Sequence, residues 1–329
     1  MRRLFLKAMG ATAVCLAFAM PASAADFTFK FGHAQPETSV RHKSMELFKE
    51  RLEKESNGRI VVSLFGAGKL GNEAELMDMV KMGTVQGTRG GAFAKANKKF
   101  LIYTLPFLFK DTDSVLKAMW SGFGADVAKH AESNGYYIPA TGVAGGFRQI
   151  SNSKKAIATP EDVAGLKIRT PPIETIVKTM QALGANPQSI PYGETYMALK
   201  MGVVDGQENP PSNIAEMKFY EAQKYLSLVD YQIHPDPLMV NLKWYQSLPE
   251  DLKATFNKVA KESMAWSDTN WLASEASYMD TLKKNMTVNS VSPENRARFV
   301  EKVKPVWEAY VKDGTFTEAE IQAALASGK

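Results

Sequence analysis

Three arginines stand in settings where a guanidinium could meet an anion. Arg169 closes the run "LKIR" just before "TPP", Arg148 follows "AGGF", and Arg89 sits inside "GTRGG". A guanidinium is planar, permanently charged and offers parallel N–H donors that match a carboxylate. The chemistry such residues suggest is anion capture, not bond breaking. His33, His42, His130 and His234 lie too far apart for metal-ligand spacing, and neither a serine elbow nor a phosphate-binding glycine loop occurs. "GAGKLG" at 66–71 and "GGFR" at 145–148 are too weak to be cofactor loops. The sequence therefore implies no catalytic residue, no metal and no cofactor.

The elements that must position these arginines follow an alternating order. "FTFKFGH", Phe27 to His33, alternates apolar and polar residues as a strand does. A helix to about Glu55, a strand "RIVVSLF", a loop and the amphipathic helix ending at Gly83 come next, then the strand "TVQGTR". From residue 160 the same order returns: "TPEDVAG" as a helix start, the strand "LKIRT", a helix from Pro172 to Gly184, the helix "GETYMALKMG" and the strand "VVDGQE". A phrase repeats within it: "KMGTVQGTR" from Lys81 and "KMGVVDGQE" from Lys200, an offset of 119 residues, with Arg89 in one copy where Glu208 stands in the other. Each copy marks a helix feeding a strand in one of two similar α/β lobes. Ligands of open α/β sheets bind beyond the carboxyl ends of strands, so Arg89 and Glu208 are expected to face a shared cleft. From Pro249 to Met286 no glycine interrupts a single helical run, long enough to span both lobes as a strut. Its Trp266 and Trp271 read as packing residues.

With 329 residues, 45% apolar and 23% charged, the chain can bury two cores of domain size. Of its net charge of +5, Arg2, Arg3 and Lys7 supply three before any acid appears, which leaves too little to attract nucleic acid. The basic start, the apolar run Ala8 to Met20 and "ASA" at 22–24 read as a cleaved export signal over residues 1–24. "RRLFLK" also fits a twin-arginine signal. Cys15, the only cysteine, lies inside that segment, so the mature chain is expected to have no disulfide.

Longer phrases resemble the periplasmic solute-binding proteins of tripartite ATP-independent (TRAP) transporters, the dicarboxylate-binding family. They include "LFGAGKLGNEAELMDMVKMGTV", "LPFLFKD", "GFRQISNSKKAIATPEDVAGLKIRTPP", "LGANPQSIPYGETYMALKMGVVDGQENPP", "KFYEAQKYLSL" and "LPEDL". The resemblance implies an α/β, two-lobed receptor with a ligand cleft between lobes and a long helix spanning both. The expected division is 25–147 plus about 235–265 for one lobe and 148–234 plus about 266–329 for the other. It also implies a monomeric periplasmic protein that hands a small organic anion to small and large membrane permease subunits. By the same resemblance Arg169 grips the ligand carboxylate, Arg148 and Asn209 assist, Tyr192 packs over the ligand and Glu73 faces the cleft. The chain departs from the family pattern at Gln86, Gly87 and Arg89.

Several assignments have two readings. Glu208 is a cleft residue or an inter-strand ion-pair partner. His33 reaches the cleft from the first strand or bonds nearby backbone, while Asp205 reads as a backbone-capping acid. If Arg89 faces the cleft, three guanidiniums converge there and the ligand is strongly anionic or richly oxygenated; otherwise Arg89 pairs with an acid of its own lobe. The candidate ligands are C4-dicarboxylates, sugar acids, 2-oxo or hydroxy acids and sulfonates. Two other functions fit fewer features: a ligand sensor for a membrane kinase, and a hydrolase or lyase using Glu208 or Glu73 as base beside Arg169.

Overall fold

The computed structural model describes residues 25–329. The expected export signal, with its arginine pair and Cys15, lies outside the described residues. Among those described, no helix is long and apolar enough to cross a membrane.

Two sheets organise the chain. The first orders its strands Ile60–Phe65, Phe27–Gly32, Gly87–Thr88, Met239–Asn241 and Tyr136–Tyr137. Phe27–Gly32 runs parallel to Ile60–Phe65 and Gly87–Thr88, and Met239–Asn241 runs antiparallel to both its neighbours. Alternation in Phe27–Gly32 buries Phe29 and Phe31 and turns Thr28 and Lys30 outward, the period of two that a half-buried strand requires. The second sheet orders Thr287–Ser290, Tyr225–Leu228, Gln149–Asn152, Gly206–Asn209, Lys167–Thr170 and Asn186–Ser189. Asp205, just before Gly206–Asn209, accepts from the Lys167 amide (2.9 Å) and so caps the start of the neighbouring strand. The molecule is thus a two-lobed α/β fold, with a third, two-stranded ribbon, Thr141–Val143 against Pro235–Pro237, where the chain crosses between sheets.

The repeated phrase has a backbone explanation. The helix Glu73–Met82 ends at Gly83 (φ 83°), and the helix Thr195–Lys200 ends two residues before Gly202 (φ 69°). A left-handed residue is needed there to turn each helix into its strand, and glycine adopts it without strain. The strand after the first copy is only Gly87–Thr88, shorter than expected. The segments starting at Pro160 and Tyr192 open as 3-10 turns, Pro160–Val163 and Tyr192–Glu194.

The helix Glu250–Asn285 has 36 residues and rises about 54 Å at 1.5 Å per residue. Its first half packs on the helix Val40–Glu55, where Arg59 pairs with Asp251 and Lys258 with Glu55. Its second half lies on the helix Pro211–Glu216, whose Glu216 accepts from Tyr278 (2.7 Å). Trp271 is buried there with its ring beside Tyr278, and Trp266 is half-buried. Midway, Asp268 accepts from the Val143 amide (2.9 Å) and from the Trp120 indole (3.0 Å). This close approach explains Gly142, since a Cβ there would lie 2.4 Å from Asp268 Oδ1.

Burial raises the Asp268 carboxyl from its ordinary 3.8 to about 6. The folded protein therefore keeps this proton to a higher pH than the unfolded chain does. The resulting stability is full below about pH 4 and is lost as pH rises through about 6, a change of about 3 kcal/mol at 1.36 kcal/mol per pKa unit. Urea melts of wild type and Asp268→Asn at pH 4 and pH 7 should show their stability difference shifting by about that amount. A difference independent of pH would mean that the carboxyl titrates as in water.

Candidate ligand-binding site

At the carboxyl ends of the first sheet's parallel strands the chain runs on into Gln35 and Gly90. Opposite them stand Arg148 and Arg169, with Asn209 at the end of its strand. The ribbon between the sheets adds Ala144, His234 and Pro235, and together these surround one cavity. Arg41, Glu73, Gly91, Pro171, Tyr192 and Asn213 complete the wall. The cavity is narrow, with about 30 Å³ open to water centres. At about 10–15 Å³ for each, that holds two or three waters.

Arg169, on the strand Lys167–Thr170, is 1% exposed. Its Nε and Nη2 both donate to the Ile190 carbonyl (2.9 and 2.6 Å), and no carboxylate pairs with it. Burial first, and the neighbouring Arg148 second, lower its pKa to about 10 against the pull of Glu208, so it stays charged at neutral pH. Arg148 is fully neutralised. Its Nε donates to Glu208 Oε2, and Nη2 reaches Glu208 Oε1 (2.8 Å) and Asn209 Oδ1 (3.1 Å). Tyr231 donates to the same carboxylate. Burial opposes the charge on Arg148, but Glu208 outweighs it and raises the pKa.

Arg41 supplies the third guanidinium at the cavity. It lies in the first turn of Val40–Glu55, behind the cap Ser39, whose hydroxyl accepts from the His42 amide (3.2 Å). Its Nε donates to Asp236 Oδ2 (3.0 Å), while its Nη1 is buried with no partner. Asp236, on the crossing ribbon, accepts at the same oxygen from Arg89 Nη2 (2.6 Å). Arg89 is fully buried and also donates to Ser44 (2.7 Å). His234 is buried with Nε2 unpartnered; burial and three nearby guanidiniums hold its pKa well below the ordinary value, so it is neutral.

A chain of side-chain hydrogen bonds crosses the cavity wall. Tyr192 donates to Gln35 (3.4 Å), Gln35 to Asn213 (3.2 Å), Asn213 to Asn209 (2.9 Å) and Asn209 to Gln207 (2.5 Å). Its members come from the loop after the first strand, the turn at Tyr192, the strand Gly206–Asn209 and the helix Pro211–Glu216. Each of these amides donates within the chain and is thereby oriented.

The structure thus gathers Arg169, Arg148, Asn209, Tyr192 and Glu73 at one cavity, and leaves Arg89, Glu208 and His33 off its wall. Arg89 has the alternative reading: it pairs with Asp236, and the ligand-charge argument built on it falls. The residues after it, Gly90 and Gly91, line the cavity instead. Glu208 points back from Asn209 because successive strand residues face opposite ways, and there it pairs with Arg148. His33 is turned to His42 (Nε2 to Nδ1, 2.9 Å), and burial drives its pKa down to about 2. Sequence reasoning missed Arg41, Gln35, Asn213 and His234. The strand-end rule could have found Gln35, and helical spacing could have found Asn213, four residues beyond Asn209. Nothing in the spacing separates Arg41 from a surface helix residue.

Residues 31–313 match the family described as bacterial extracellular solute-binding protein, family 7. The chain belongs to that family. It is 30% identical to the C4-dicarboxylate-binding periplasmic protein DctP of Rhodobacter capsulatus over 337 residues, 99% of each chain. Among solved structures it resembles a TRAP periplasmic solute-binding protein of Sulfurospirillum deleyianum with bound succinate. That match has a TM-score of 0.86 and 26% identity, covering 92% of this chain and all of the other. A sugar acid binding protein of Advenella mimigardefordensis in complex with galactonate matches at TM-score 0.86 and 28% identity, over 92% of this chain and 97% of that one. These relatives are binding receptors, not enzymes. In this family member Glu208, one of the two bases a hydrolase or lyase could use, is already engaged by Arg148 and Tyr231.

Arg89 and Arg169 should therefore behave oppositely when replaced by methionine in the ligand-free protein. Arg89→Met leaves Asp236 paired with Arg41 but removes a buried hydrogen bond to its carboxylate and one to Ser44, and should cost about 2 kcal/mol. Arg169→Met removes a buried charge that no acid meets and should leave stability unchanged or raise it. Chemical denaturation of both variants checks this; equal losses would contradict the pairing.

Proposed function

We propose that this chain is the periplasmic solute receptor of a TRAP transporter. It captures a small organic anion in a closing cleft and passes it to the small and large membrane permease subunits. The observation that carries this reading is Arg169: a charged guanidinium, 1% exposed, facing a cavity with only a backbone carbonyl as partner. A buried charge of this kind costs several kcal/mol until an anion meets it. Arg148 and Asn209, fixed by Glu208 and by the amide chain, are the second and third contacts to the ligand carboxylate, and Tyr192 covers it. The lobes are residues 25–147 with about 235–265 and residues 148–234 with about 266–329. They rotate about the ribbon Thr141–Val143/Pro235–Pro237 and the long helix.

Truncating one partner of a buried charge pair costs about 2–5 kcal/mol. Arg169→Ala should thus weaken binding of any acid found by thermal-shift screening by more than about thirtyfold at 1.4 kcal/mol per decade. Calorimetry showing wild-type affinity in that variant would remove Arg169 from the site. Small-angle scattering should give a smaller radius of gyration with that acid at saturation; superimposable curves would argue against closure on the ligand.

A further inference from the structure

The charges around the cavity do not cancel, and their remainder bears on the solute. Arg148 is matched by Glu208, and Arg41 and Arg89 share the single carboxylate of Asp236. Arg169 has no acid of its own. That leaves two positive charges, against which stands Glu73, the first residue of the helix Glu73–Met82. Glu73 acts electrostatically on both Arg41 and Arg169. With His234 neutral, the cavity holds a net charge of one positive unit. Asp268, farther out on Val143 and Trp120, and Glu216, which acts on Arg41 and Tyr192 from the helix Pro211–Glu216, could only lower that figure. A solute with two negative charges would therefore bring one that nothing buried compensates, beside a carboxylate that repels it.

Glu73 adds a second requirement. Its oxygens lie against the backbone of the Gly90–Gly91 turn, where a Cβ on Gly90 would stand 2.5 Å from Oε1 and one on Gly91 3.0 Å from Oε2. Glu73 is half-buried, and among the described residues no protein donor or ion pair engages its carboxylate. The neighbouring amides donate to one another, and the guanidinium donors left over point to acceptors on a ligand. An ionised carboxylate only accepts, so the group that meets it must be a donor. An ammonium would serve as a donor, but a zwitterion would leave the positive unit uncancelled.

We infer that the solute is a hydroxylated monocarboxylate, with its carboxylate on Arg169 and a hydroxyl donating to Glu73. This rests on the reading of the cavity as the solute site. Dicarboxylates are disfavoured by Glu73, and unsubstituted monoacids leave it without a donor.

Chain-matched acids test the inference by calorimetry. At four carbons these are butanoate, succinate, erythronate and threonate; at six they are hexanoate, adipate, gluconate and galactonate. In the wild type a hydroxylated monoacid should bind at least about thirtyfold tighter than the dicarboxylate and the plain acid of its length. Glu73→Gln keeps the shape and removes the charge. It should weaken the hydroxy acid by about tenfold or more, the scale of a hydrogen bond to a charged group, and strengthen the matched dicarboxylate. A dicarboxylate that binds tightest, or a Glu73→Gln variant that moves both classes in the same direction, overturns the inference. If that dicarboxylate still loses more than about thirtyfold in Arg169→Ala, the anion-receptor reading survives alone. Binding of no acid to the wild type would sink both.

Discussion

A guanidinium taken out of water must find an anion or pay in stability, and this fold buries four. Three are met from within. The strand Gly206–Asn209 brings Glu208 to Arg148, and the crossing ribbon brings Asp236 to Arg41 and Arg89 at once. Arg169 is given a carbonyl and nothing more. The unmet charge is thereby divided between Arg169 and the share of Arg41 and Arg89 that the single Asp236 leaves over, and it is sharpest at Arg169, which no acid touches. The paired arginines differ: their acids already hold them in one orientation, as the hydrogen-bond chain does the amides, so little freedom remains to be lost at these donors.

The same ion pairs tie the site to the elements that connect the lobes. Asp236 sits on one strand of the ribbon, and Asp268 of the long helix bonds the amide of Val143 on the other. Arg41 and Arg89 both bond Asp236, so this strand of the ribbon is tied to the helix Val40–Glu55 and to the end of the strand Gly87–Thr88. Gln35 and Asn213 join the loop after the first strand to the helix after the strand Gly206–Asn209, and this contact exists only while the two sides are close. The cavity wall and the crossing ribbon are consequently joined by one continuous set of hydrogen bonds and ion pairs.

Glu73 and Arg169 set limits on each other. A cavity lined by guanidiniums alone would accept any anion that fits; one acceptor-only carboxylate beside them turns excess charge into a penalty. Selection then depends on which ligand atoms carry protons, a distinction that shape alone would not make.

Much of the architecture was legible in the chain. The alternation in Phe27–Gly32, the glycines at 83 and 202 and the uninterrupted run to Asn285 each express a local rule of backbone geometry, which the flanking residues suffice to satisfy. The strand-end Arg169 was also visible, because a strand's carboxyl end opens toward a cleft wherever the sheet lies; Arg148, just before the strand Gln149–Asn152, was marked by its "AGGF" setting and by the family resemblance. Local rules could not decide the direction of a charge. Arg89 and Glu208 occupy matching places in a repeated phrase, yet each is turned from the cavity by a partner 147 and 60 residues away, Asp236 and Arg148. Arg41 carries no mark that separates it from other helix residues until Asp236 fixes its Nε beside the cavity and leaves Nη1 without a partner. The sequence by itself determined the order in which helices and strands alternate and repeat and the glycines that stop them, since those depend on neighbours in the chain. Only the tertiary structure decided which buried charges are cancelled and which remain, because electrostatic energy depends on distance in space and on exclusion of water, and neither follows from separation along the chain.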